Sequence, residues 1–127
     1  MQESKVDLSV PAEPAYARSV RMMAANLAVV CGMSVDDVED VRMAAEEGFV
    51  YACGTRPVAC DVTFSLADGS MDVSFSLGTS GVDADDVEGR EAVHYAELLL
   101  SAVCDDYEID DAAHVLTLSK CTGVAND

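Results

Sequence analysis

A chain of 127 residues with 24 acidic and 7 basic side chains carries a formal net charge of −17. That length supports one domain around a single core, and such a field repels nucleic-acid phosphates while favouring a basic protein partner. Half of the residues are apolar, but no run approaches the roughly 18 needed to span a bilayer, so neither nucleic acid nor membrane is expected as a partner.

The five cysteines, Cys31, Cys53, Cys60, Cys104 and Cys121, are odd in number and contain no C-x-x-C pair. The N-terminal run MQESKVDLSV has no apolar stretch of the signal-peptide kind. Reduced thiols in a cytoplasmic protein are therefore expected, with no disulfide framework and no zinc site. The charge is uneven: residues 1–32 hold three acidic and three basic side chains, leaving 21 acidic against 4 basic in the remainder.

In chain order, Val6, Leu8 and Val10 alternate with Asp7 and Ser9 and predict a first strand ending at Pro11. Pro14 suits the start of a helix. Ala17, Val20, Ala24, Leu27 and Cys31 then recur at helical spacing until Gly32. Arg18 and Arg21 lie together off that stripe and are candidates for contact with an acidic partner or a second copy of the chain. Residues 34–54 read as the central helix. Ser34 and Asp37 form its start signal, and Met33 and Val38 occupy the staple positions. Val38, Val41, Ala45, Gly48 or Phe49, and Ala52 form its apolar stripe, and Gly54 is expected as its left-handed terminator. Glu47 falls one turn before Tyr51 on the same side.

Beyond it, Val58, Cys60, Val62, Phe64 and Leu66 alternate with polar residues, as do Met71, Val73, Phe75 and Leu77. Asp68-Gly69 between them predicts an antiparallel hairpin with one wet face. Residues 78–89 read as an acidic loop without calcium-loop spacing, leading into a helix that ends near Val103. Ala92 or Val93, Ala96, Leu99, Leu100 and Val103 point inward there. Tyr107 and Ile109, then Val115 or Leu116 and Leu118, predict a last hairpin across Asp110-Asp111. The two histidines, His94 and His114, have no nucleophile partner legible in the sequence and read as structural.

The stretch VEDVRMAAEEGFVYACGT resembles the first nucleotide-binding motif of the histidine-kinase-like (GHKL) ATPases. It is most similar to that of the anti-sigma-factor serine kinases, whose helix runs E-D-x-x-x-A-x-x-E-A-x-x-N-A. The likeness covers nearly the whole chain, including the ending YEIDDAAHVLTLSK. It implies one domain over residues 1–127: an α+β, two-layer sandwich of the histidine-kinase-like ATPase type. Its sheet would be mixed but mostly antiparallel, with the helices on one face, in the order β-α-α-β-β-α-β-β. The alternating strands and single-striped helices fit that class independently.

In the family the motif's Glu is the catalytic base and the following Asn holds magnesium. Glu47 matches the first, as a vestigial base, while Tyr51 replaces the second. The second motif, D-x-G-x-G, recognises adenine; here Leu77 replaces its Asp and Thr79 its first Gly, and only Gly81 and Asp83 persist. The third, a phosphate-cradling G-x-G, falls near His94 and Ala96, and no glycine lies between Gly89 and Gly123. The resemblance thus implies a regulatory module that binds a sigma factor or an anti-sigma antagonist, with ATP and magnesium lost as cofactors. It also implies a homodimer through the N-terminal segment. The alternatives are an active ATP-dependent anti-sigma serine kinase, or a fold reused for a small ligand.

Overall fold

The computed structural model describes residues 3–79 and 87–121. Strand β1, Ser4–Pro11, is followed by a 3-10 turn over Pro14–Tyr16 and then by helices α1, Ala17–Val30, and α2, Val35–Gly54. Strands β2, Ala59–Ala67, and β3, Ser70–Ser76, precede α3, Val87–Val103, and the final strands β4, Asp106–Asp110, and β5, Val115–Cys121. The fold is α+β: among the described residues, five strands in the order β1-β2-β3-β5-β4, with three α-helices.

Every strand pair is antiparallel, which corrects the expected mixed sheet. The crossover through α3 does leave β3 and β4 running parallel, but β5 inserts between them, so among the described residues no parallel pair is hydrogen-bonded.

Period-2 alternation sets the two faces. Cys60, Val62, Phe64 and Leu66 on β2, and Met71, Val73 and Phe75 on β3, are buried under the helices. Asp61, Thr63, Ser65, Asp72 and Ser74 fall on the opposite face. Helix α2 lies across β2, β3 and β5, and buries Val41, Ala44, Ala45, Gly48, Phe49 and Ala52. Gly48 is its point of closest approach, since a Cβ there would stand 2.6 Å from the Phe75 ring. Helices α1 and α3 pack on either side of α2, and α3 also touches β4. Val20, Ala24, Leu27 and Ala28 line the inner face of α1. Gly32 takes a positive φ of 79° after α1, and the adjoining Cys31 carbonyl accepts the Gly69 N–H at 2.8 Å, tying the β2–β3 turn to the helix end.

Ser34 caps α2, its hydroxyl accepting the Asp37 N–H at 3.2 Å, with Asp36 and Asp37 in the first turn. The other end differs from expectation. Gly54 is still helical, Thr55 is the C-cap, and the left-handed residue is Arg56, with φ 60°. The Thr55 hydroxyl donates to the Ala52 carbonyl at 2.6 Å and so stands in for a terminating glycine.

Other corrections follow from local geometry. Val58 is fully exposed and precedes β2. Leu77 lies just past β3 and is only half-buried. Ala96 and Leu100 carry the core face of α3, while Leu99 is half-buried and Ala92 exposed. The last hairpin closes through residues 111–114, because the Asp110 carboxylate accepts the N–H groups of Ala112 and Ala113, both at 3.0 Å. No helix among the described residues is long and apolar enough to cross a membrane.

Candidate functional site

The C-terminal end of α2, the segment after β3 and the β4–β5 connection converge on one open cleft of about 240 Å³. Tyr51 and Thr55 line it from α2, Leu77, Gly78 and Thr79 from the segment after β3, and Asp111 and His114 from the connection. Two hydrogen bonds and one close backbone approach fix these walls. The Gly78 N–H donates to the Thr55 hydroxyl at 2.8 Å. The Leu77 N–H donates to the His114 carbonyl at 2.8 Å. Only a glycine fits at 78, since a Cβ there would stand 2.0 Å from the Thr55 carbonyl oxygen.

Three of the nucleotide-motif positions, Tyr51, Leu77 and Thr79, therefore share this cleft with His114, which reads as structural in the sequence. Gly81 and Asp83 lie outside the described residues. Glu47, one turn before Tyr51, is half-buried and does not line the cleft. Burial, and then the neighbouring Glu46 charge, push its carboxyl above the ordinary value. Among the described residues no hydrogen bond or ion pair involves its carboxylate, so a bond to Tyr51 is not formed. The Tyr51 phenol is also held above its usual pKa, first by burial and then by Glu97, Asp111 and Tyr107. Of these carboxylates Asp111 lines the cleft itself, and Glu97 of α3 acts on Tyr51 from outside it.

The positions matching the resembled family's magnesium ligand and phosphate cradle carry different groups here. Magnesium takes carboxylate, carbonyl or water oxygens, whereas Tyr51 presents a protonated phenol. Among the described residues no three His, Cys, Asp or Glu side chains converge to hold a metal ion. Residues 94–96 lie in the middle of α3, where backbone N–H groups are committed to the helix and cannot cradle a phosphate.

The two arginines of α1 separate. Arg21 pairs with Glu46 of α2 at 3.1 Å, whereas Arg18 is exposed and has no ion pair among the described residues. A cation that sequence reading missed, Lys120, joins three elements. Its ammonium bonds to Asp40 at 3.0 Å and to the Val103 carbonyl at 3.2 Å, with Asp37 and Asp105 each at 3.9 Å. Burial alone would lower its pKa, but Asp40, Asp105 and Asp37 turn the net shift upward. The residues lie 80 positions apart, so no local pattern signals the pairing.

All five cysteines are free thiols. Burial pushes Cys60 up to about 12, and Cys53 and Cys104 up to about 11. Thiols so placed are poor nucleophiles.

No protein-family model matches the chain. No curated protein matches it either.

Proposed function

We propose that this chain is a regulatory protein-binding module, related in build to the anti-sigma-factor serine kinases and without their phosphotransfer. The observation that carries this reading is the cleft around Tyr51, which sets the Asp111 carboxylate beside the phenol. A phosphate chain entering it would meet Asp111, the nearby charge of Glu97 and a protonated phenol in place of a metal ligand. Glu47, the residue matching the family's base, stands apart from the cleft, and among the described residues its carboxylate has no hydrogen-bond or ion-pair partner. The acidity of the rest of the chain selects a partner with a basic surface. A sigma factor or an anti-sigma antagonist fits the resemblance.

The same reading includes a homodimer through the N-terminal segment. Strand β1 is an edge of the sheet, with Val6 and Leu8 only half-buried. Helix α1 carries no carboxylate and leaves Met22, Val29 and Val30 exposed.

Affinity capture from the native cytoplasm, with and without ATP–magnesium, tests the reading. A sigma factor or sigma-pathway antagonist should be retained equally under both conditions. Retention that requires ATP, or phosphate transfer to a bound partner's serine, would overturn it.

A further inference from the structure

We propose that the outer edge of β4 takes up an extended segment of the protein partner as a sixth strand, and that this segment alternates basic and apolar residues. The inference rests on the protein-binding reading above and adds where, and by what chemistry, the partner is held. The sheet order leaves two edges, β1 and β4, and among the described residues β4 pairs with β5 alone. Its other side presents a row of backbone donors and acceptors, the template that strand addition uses.

Side-chain chemistry distinguishes this edge. Asp106, Glu108 and Asp110 are exposed on the open face, while Tyr107 and Ile109 are half-buried on the helix side. Across the open face, Ser119 and Thr117 stand opposite Asp106 and Glu108, hydroxyls that leave the charge uncompensated. Among the described residues none of the three carboxylates has a basic partner. Opposite-charge pairs across neighbouring strands are favourable and like charges are not. A lysine or arginine at every second position of an added strand would face this row. A second copy of β4 would set carboxylate against carboxylate, so self-pairing is excluded here.

Helix α3 covers the other face of this edge. Ser101, on an exposed flank of α3, reaches the Tyr107 hydroxyl of β4 at 3.4 Å, so the helix stands over the strand. Tyr107 and Ile109 are half-buried on that side. An added strand would set its apolar residues beside Tyr107 and Ile109 and its basic residues beside Asp106, Glu108 and Asp110.

The probe is a fluorescent seven-residue peptide alternating lysine and valine, titrated into the full chain and read by anisotropy. A peptide of the same composition with its lysines and valines in separate blocks should bind at least tenfold more weakly. Methylating alternate backbone nitrogens on the bonding edge should abolish binding. Glu108→Lys should weaken the alternating peptide at least tenfold, whereas Asp61→Lys, on the same face but in β2, should leave it unchanged. Equal binding of the two peptides, or equal loss with Asp61→Lys, would overturn the proposal and assign the attraction to the overall acidic field. A captured partner held equally by the wild type and by Glu108→Lys would overturn the β4 site alone. Absence of any captured partner would count against the protein-binding reading itself.

Discussion

Replacing Gly78 by alanine tests whether the cleft is built as described. The new Cβ would stand 2.0 Å from the Thr55 carbonyl oxygen and 2.7 Å from both the Arg56 carbonyl carbon and the Pro57 nitrogen. Ordinary carbon contacts need about 3.5–4.0 Å, so the segment after β3 must retreat by more than about 1 Å. The obstructing atoms are backbone, and no rotamer change relieves them. Retreat breaks the bond from the Gly78 N–H to Thr55 and strains the one from the Leu77 N–H to His114. Overpacking costs about 1–3 kcal/mol and a lost hydrogen bond about 1 kcal/mol, offset by about 0.4–1 kcal/mol from the stiffer unfolded chain. The net loss is about 1–3.5 kcal/mol, or roughly 5–15 °C in Tm for a domain of this size. Gly48→Ala is the comparison. Its clash is with the Phe75 ring and a Leu118 methyl, which can yield, and alanine returns about 1 kcal/mol of helix propensity. Urea denaturation with calorimetric Tm should rank Gly78→Ala as clearly the worse. A Gly78→Ala midpoint within about 0.5 kcal/mol of wild type would mean that the segment is not seated on α2.

Leu77→Asp introduces the residue that the resembled kinases use to read adenine. With Leu77 half-buried beside Asp111, it should cost about 1–2 kcal/mol in urea melts, less than the several expected for a carboxylate in the core; a larger loss would place Leu77 inside. Glu47→Gln should raise Tm at pH 7 and leave it unchanged below pH 4.5, the carboxyl's ordinary value. Burial raises the folded-state pKa, so the fold favours the protonated form and the ionised form costs stability; an equal gain at both pH values would refute this. Light scattering at tens of micromolar should give a dimer that high salt does not split, and Lys5→Glu, which removes the only cation of β1, should favour the monomer. Removing residues 1–12 is a poorer test, because Val10 is part of the core. A monomeric wild type would refute the dimer.

Local pattern made the element order legible. The alternation in Cys60–Leu66 and Met71–Phe75 and the Ser34 cap are short-range signals, and each corresponds to what the chain does. Leu77 continued the alternation on paper, but the chain leaves β3 there because Gly78 must seat against Thr55. Gly54 offered a standard helix stop, yet the Thr55 hydroxyl met the free carbonyl first and moved the left-handed residue to Arg56. Leu99 and Leu100 fit the inward stripe equally by spacing, and only packing on α2 chose Leu100. The insertion of β5 between β3 and β4, and the grip of Lys120 on Asp40, depend on long-range contacts that periodicity does not carry. In the candidate site, Tyr51, Leu77 and Thr79 were legible through the resemblance. Asp111, His114 and Glu97 were not, because the β4–β5 connection and α3 meet Tyr51 only in three dimensions.

Calorimetric titration of the full chain with ATP, with and without magnesium, bears most directly on the proposed loss of nucleotide chemistry. Tyr51 in place of a magnesium ligand, Leu77 in place of an adenine acceptor and the acidic wall at Asp111 lead to one expectation: no saturable heat up to millimolar ATP, and no rise in Tm at that concentration. A saturable, magnesium-dependent heat, with a matching rise in Tm, would contradict it.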